Sequence, residues 1–333
     1  MKIIIPMAGM GTRMRPHTLT TPKPLLSVAG KPIVHRLVED IAGMSNEKIE
    51  EIAFIVHPSF GKEVENTLVN MAKNIGADGT IYYQREALGT AHAINCAAES
   101  LSGNIVVAFA DTLFIANFTL DTSKDAVIWV QQVDDPSAYG VVKTNEDEII
   151  TDFVEKPQEF VSDLAIIGIY YFKDGALLQH ELQYLQDNNI HVNGEFQLTT
   201  ALENMQKKGI VFTPDKIDEW LDCGNKPATI NTNTRLLATY GGYTADTAII
   251  ENSQIIEPCI IEEDTEITNS VIGPYVTIGK NSSISQSVIS HTLIQNNTDI
   301  INSNCTESII GNKVKIAEAP KNYNLGDYNQ IIE

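Results

Sequence analysis

The chain has 333 residues, with 23 Lys or Arg against 43 Asp or Glu, a formal net charge of −20, and 43% hydrophobic residues. That length sets an expectation of two domains, and the apolar share is ample for a packed core. The acidic balance argues against a general nucleic-acid or acidic-membrane binder, which needs a basic face, but it permits a small anion held by a few local cations.

Lys2–Pro6 is a short β-branched run that reads as a strand and leads straight into a glycine loop. The apolar stretch Ile3–Met7 is too short for a signal peptide or a membrane span. The first 38 residues contain no Asp or Glu yet hold six cations (Lys2, Arg13, Arg15, Lys23, Lys31 and Arg36), where an even spread would place about five acids. A negatively charged ligand is expected there. Ile33, Leu37 and Ile41 recur at helical spacing, and Ile52–His57 is the next strand. Val64, Leu68, Met71 and Ile75 mark a second amphipathic helix, followed by a strand at Thr80–Gln84. Thr90 is placed to cap a helix carrying Ala91, Ile94, Ala98 and Leu101. Asn104–Ala110 is an apolar strand that ends at Asp111. Strands alternating with helices imply a parallel sheet covered on both faces, with ligands at the carboxyl ends of its strands. The glycine loop and Asp111 both fall there.

From about Ala126 the pattern loosens. Tyr139–Thr144 and Glu148–Val154 suggest a hairpin around Asn145–Asp147, and Ala165–Phe172 a strand. Gly175–Asn188 and Phe196–Lys208 read as helices, and Thr229–Leu237 as a helix leaving the domain. After about Gly241 helix period is absent and apolar residues return every six positions: Ile255, Ile261, Ile267, Ile272, Ile278, Ile284, then Ile294 and Ile300. This is the pattern of a left-handed parallel β-helix, about four coils of roughly 18 residues, with a β-sandwich as the competing reading. The repeat is imperfect around Ser285–His291, and Ala317–Glu333 is polar and suited to capping the last coil. The expected domains are residues 1–240 and 241–333. The four cysteines, Cys96, Cys223, Cys259 and Cys305, form no CxxC pair, which fits a reducing, cytoplasmic setting without a disulfide framework.

Gly9 and Gly11 after a first strand suit a phosphate cradle, because glycine lets backbone N–H groups approach anionic oxygens; alone, such a pair serves equally as a tight turn. Together with Arg13 and Lys23–Pro24 in an acid-free window they carry a longer signature: Gly11-Thr12-Arg13, Pro16, Lys23-Pro24-Leu25-Leu26 and Lys31-Pro32. This resembles the sugar-1-phosphate nucleotidylyltransferases, with Ala8 where many members have a further glycine. The resemblance continues in order through Gln84-Arg85-Glu86-Ala87-Leu88-Gly89-Thr90-Ala91, Ala110-Asp111, Tyr139-Gly140-Val141-Val142, Glu155-Lys156-Pro157, Gly194-Glu195-Phe196-Gln197-Leu198-Thr199 and Trp220-Leu221-Asp222-Cys223-Gly224. It covers residues 1–237. Over the whole chain the likeness is to the long-type glucose-1-phosphate thymidylyltransferases, which carry a β-helical tail. Mannose-1-phosphate guanylyltransferases are the alternative.

The resemblance implies a Rossmann-like nucleotidyltransferase domain that joins an NTP, dTTP or UTP, to a hexose 1-phosphate, with release of pyrophosphate. It implies catalytic roles for Arg13, Lys23 and Lys156, and nucleotide contacts at Ala8, Gly9, Gly11, Thr12, Gln84 and Gly89. It implies sugar contacts at Tyr139, Gly140, Glu155 and Lys156, and Mg²⁺ ligands at Asp111 and Asp222, the latter in a loop. The attacking phosphate is already ionised, so no general base is required, and His17, His35 and His92 are expected to be surface or packing residues. A homo-oligomer joined through the tail is expected, with no nucleic-acid or membrane partner. A hexapeptide-repeat acyltransferase and a non-catalytic regulatory subunit are the readings of other classes.

Overall fold

The computed structural model describes residues 1–116 and 119–319, and the chain divides into two compact units: Met1–Leu26 with Lys31–Thr229, and Ser27–Gly30 with the chain from Ile230 onward. Most of the segment expected to cap the last coil, from Pro320 on, lies outside the described residues. Among the described residues no helix is long and apolar enough to cross a membrane.

The β-branched run at the amino terminus forms β1 (Lys2–Pro6), whose Ile3, Ile4 and Ile5 are wholly buried. A strand covered on both faces reads as a continuous apolar run, not as an alternation. The acid-free window continues through β2 (Ser27–Val28) and β3 (Lys31–Pro32) into α1 (Ile33–Met44). Then come β4 (Glu51–Val56), α2 (Gly61–Asn74), β5 (Asp78–Tyr83), the short α3 (Thr90–Asn95) and β6 (Ile105–Ala108). The second half holds β7 (Thr112–Ile115), β8 (Ala126–Gln132), β9 (Gly140–Thr144), β10 (Ile150–Glu155), β11 (Leu164–Phe172), α4 (Gly175–Asp187), α5 (Leu198–Lys207), β12 (Phe212–Lys216), β13 (Glu219–Asp222) and α6 (Lys226–Tyr240).

The Rossmann-like sheet runs β10-β9-β11-β6-β1-β4-β5 and is mixed. β6, β1, β4 and β5 are mutually parallel, as the alternation of strand and helix requires. β11 then joins β6 antiparallel, and β8 and the β9–β10 hairpin attach to β11. β7, β8, β12 and β13 have no counterpart in the sequence reading.

The second unit is a left-handed parallel β-helix. Its inward column Ile250, Ile267, Ile284, Ile300 and Ile316 stacks coil on coil in parallel register. A second column, Ile255, Ile272, Ile289 and Cys305, and a third, Ile261, Ile278, Ile294 and Ile310, close the triangle. These side chains form one apolar core, so the every-sixth-residue pattern is the interior of the coil. The coils are tighter than 18 residues: cross-coil partners are 17 apart early and 16 apart later. The step shortens because Ile289 reaches Leu293 with one residue fewer than Ile272 uses to reach the paired Thr277. That is the irregularity visible around Ser285–His291.

Candidate active site

The loop after β1 emerges at the carboxyl ends of the parallel strands, with the amide of Met7 still bonded to the Ile55 carbonyl (2.9 Å). Gly9 is exposed, and a Cβ there would meet nothing within 4 Å, which leaves the approach of a ligand to its backbone open. Gly11 serves shape: it sits in the left-handed region (φ 59°), and a Cβ would press on Lys23 Cβ and Thr18 Cγ2 at 3.0 Å. Its carbonyl accepts from Thr18 Oγ1 at 2.8 Å.

Lys23 rides the single turn Lys23–Leu25, and its Nζ lies 2.7 Å from Asp111 Oδ2. Asp111 stands in the turn between β6 and β7, and its carbonyl accepts from the Cys223 amide (2.9 Å). Asp222 is not in a loop. It ends β13, which pairs antiparallel with β7 so that Asp222 faces Thr112, the neighbour of Asp111. Strand pairing thus brings together two carboxylates 111 positions apart in the chain. Asp222 is half-buried, and burial pushes its pKa up, as does the charge of Asp111; the Gly224 N–H (2.7 Å to Oδ1), Lys23 and Arg13 pull the other way. A Cβ on Gly224 would lie 3.4 Å from an Arg13 guanidinium nitrogen, so Arg13 rests beside Asp222.

Two clefts meet at Asp111. The first, about 290 Å³, is lined by Ala8, Gly9, Lys23, Gln84, Gly89 and Asp111. The second, about 490 Å³, is lined by Arg13, Asp111, Tyr139, Gly140, Glu155 and Asp222. Of the residues expected from the sequence, Gly11, Thr12 and Lys156 line neither. The Lys156 side chain is 59% exposed, with Nζ 3.8 Å from Glu155 Oε1.

In the first cleft Gln84 is nearly buried, and its Nε2 bonds to the Gly89 carbonyl (3.3 Å) and to His92 Nδ1 (3.1 Å). Burial lowers the pKa of His92, which favours the neutral ring whose Nδ1 can accept. The Nε2 amide group is therefore engaged within the chain. His92 packs, as expected, but it also orients Gln84, a role that nothing in the local sequence signals. At Gly89 (φ 112°) the space of a Cβ is filled by the Phe196 backbone oxygen at 2.4 Å. This segment also supplies Glu195 to the first cleft and Gln197 to the second. In the second cleft Tyr139 and Trp220 pack edge to face at 4.9 Å. Burial raises the Glu155 pKa, aided by Glu195 and opposed by Lys156. Tyr170 lines this cleft while belonging to the core.

Asp111 and Asp222 fit a divalent cation. The charge of Asp111 disfavours ionisation of Asp222, a penalty that a shared cation removes. Among the described residues no third His, Cys, Asp or Glu joins them. Magnesium needs few protein ligands, because it keeps waters and takes phosphate oxygens.

Residues 2–239 match the nucleotidyl transferase family, and the chain belongs to it, within the sugar-1-phosphate nucleotidylyltransferases. It is similar to the glucose-1-phosphate thymidylyltransferase of Streptomyces antibioticus, at 30% identity over 99% of both chains. It is also similar to the UTP–glucose-1-phosphate uridylyltransferase AglF of Haloferax volcanii, at 30% identity over 67% of this chain and 91% of that one. A solved UDP-glucose pyrophosphorylase complexed with UDP-glucose superposes with a TM-score of 0.58 at 26% identity, covering 72% of this chain and 98% of that one.

Proposed function

We propose that the protein joins dTTP or UTP to glucose 1-phosphate, giving the nucleoside-diphosphate sugar and pyrophosphate. The observation that carries this reading is the meeting of two clefts at Asp111, with Lys23, Arg13 and Asp222 around the junction. Two polyanions must be brought together, and cations belong where they touch. The first cleft receives the nucleotide, its phosphates on Lys23 and the backbone of Ala8–Thr12, its base beside Gln84 and Gly89. The second receives the hexose against Tyr139, Gly140 and Glu155, with Lys156 swinging in from solvent to the sugar phosphate. An oxygen of the sugar phosphate forms a bond to the α-phosphorus in line. The bond to the bridging oxygen breaks, and its electron pair leaves on pyrophosphate, where Arg13 neutralises the growing charge. No proton has to be removed from the attacking oxygen. Mg²⁺ held by Asp111 and Asp222 would supply charge neutralisation between the two phosphates. The same reading has the enzyme act in the cytoplasm as a homo-oligomer; outward apolar side chains on the coils support the oligomer, Ile249, Val288 and Ile301 being 49%, 52% and 45% exposed.

The test is pyrophosphate release measured for four NTPs against several hexose 1-phosphates. The highest turnover is expected for dTTP or UTP with glucose 1-phosphate. A maximum for GTP with mannose 1-phosphate would make the protein a guanylyltransferase instead, and silence across the whole matrix would remove the reading.

A further inference from the structure

Asp111, where the two clefts meet, sits in a turn whose flanks are both held by β11. β11 is irregular at that point. Its register with β8 breaks between Ile166 and Tyr170, and its pairing with β6 begins only at Ile169. Gly168 takes a left-handed conformation inside the break (φ 87°). The carbonyls of Ile167 and Gly168 both go to the turn. The Phe109 amide donates to the Gly168 carbonyl at 3.0 Å, and Thr112 Oγ1 donates to the Ile167 carbonyl at 2.7 Å. The turn closes on itself through Thr112 N to Phe109 O at 3.2 Å. Thr112 is 4% exposed, so the bond its hydroxyl makes is shielded from water.

Thr112 is therefore tied on three sides. Its backbone pairs with Asp222 across β7 and β13, its hydroxyl holds β11, and its own amide closes the turn. Both carboxylates are one step away, since Asp111 precedes Thr112 in the chain and Asp222 faces it. Ile166, Ile167 and Gly168 line the second cleft, so the stretch that Thr112 grips is also a wall of that cleft. A buried carbonyl is costly to leave unpaired, and Ile167 lies outside the registers of β11 with β8, β6 and β9. The hydroxyl is thus a specific anchor where an apolar side chain would only fill space.

We propose that Thr112 is a positioning residue for Asp111: its hydroxyl, fixed on the Ile167 carbonyl, ties the Asp111 turn to the wall of the second cleft and so holds Asp111 in register with Asp222. The proposal rests on the proposed nucleotidyl transfer for its kinetic readout. Thr112 acts through Asp111, its own hydroxyl being engaged within the wall.

The test uses the full-length chain with Thr112→Val, which keeps the shape of the side chain and loses the donor, and Thr112→Ser, which keeps the donor and loses the methyl. Thr112→Val is expected to lower kcat for pyrophosphate release about tenfold while KM for the NTP stays within about twofold, since a displaced carboxylate is felt at the reacting phosphates and not at the remote base. Thr112→Ser should keep kcat within about twofold of the parent. In an Asp111→Asn background Thr112→Val should change kcat by less than about twofold, because the effect runs through that carboxylate. Hydrogen exchange on peptides covering Ala108–Leu113 and Ile166–Tyr170 should quicken in Thr112→Val while peptides of β4 and β5 keep the parental rate; a general loss of stability would quicken all of them together. If Thr112→Val does not fold, Thr112→Ala gives the same readouts, since it too removes the hydroxyl. A folded variant without the hydroxyl that keeps parental kcat, an equal loss in the Asp111→Asn background, a Thr112→Ser variant as impaired as Thr112→Val, or exchange unchanged at those two stretches would each overturn the proposal. If the parent releases pyrophosphate from no substrate pair, it is the proposed reaction that falls, and the exchange measurement alone decides the role of Thr112.

Discussion

Asp222 sits where ionisation is disfavoured, by burial first and by the charge of Asp111 as well. Its pKa is therefore raised from the ordinary aspartate value, and Asp222 takes up a proton sooner as the pH falls. If it helps hold Mg²⁺, turnover at limiting Mg²⁺ should decline as the pH falls through that raised pKa. Added Mg²⁺ should push this limb to lower pH, since metal and proton compete for one carboxylate. Asp111→Asn removes the repulsion, so the limb should also move down, while turnover falls roughly a hundredfold through loss of one charge at the reacting phosphates. pH–rate profiles at two Mg²⁺ concentrations check both. A limb indifferent to Mg²⁺ would remove the metal assignment.

At the scale of elements, α3 and the segment before α5 behave as one piece. Thr90 stands where a helix cap is expected, but Gly89 takes the cap position, and Thr90 Oγ1 accepts instead from the Leu198 amide at 3.0 Å. The Ala91 amide donates to the Phe196 carbonyl and the Phe196 amide to the Leu88 carbonyl, both at 2.9 Å. Gly89 is the point of closest approach. Gly89→Ala should cost about 2–4 kcal/mol, because φ is positive there and the new methyl would collide with the Phe196 backbone. A lowered Tm together with a raised KM for the NTP is expected, since both clefts take wall residues from this seam. An unchanged Tm would show that the seam relaxes freely.

At the scale of the whole molecule, a single chain is 36.6 kDa. Light scattering on the intact protein should give a multiple of that mass, if the outward Ile249, Val288 and Ile301 are covered by further copies. A monomeric mass over the working concentration range would refute the assembly. A truncation after Gly241 is a poorer probe than it looks from the sequence alone. It would also strip Thr277, Tyr275 and Gln295 from Asn233 and Ser27, which remain on the shortened chain.

What the sequence determined by itself is whatever local pattern encodes. The β1 run, the helical spacing of Ile33, Leu37 and Ile41, and the six-residue period of the tail each repeat within a few residues, so β1, α1 and the coils are legible without a fold. The signature Gly11-Thr12-Arg13 to Lys31-Pro32 was legible too, because its pieces lie close together in the chain. Tertiary structure decided what depends on partners far away in the chain. β13 is four residues long and apolar only in part, and it becomes a strand because β7 offers it a hydrogen-bonded edge. That pairing, absent from any local pattern, sets Asp222 beside Asp111. The same holds for Ser27–Gly30: nothing in four small residues announces that Asn233, over 200 positions later, binds their backbone. Short-range periodicity follows from backbone geometry and is written in each segment; the pairing of buried polar groups across the chain is settled only when the core closes around them.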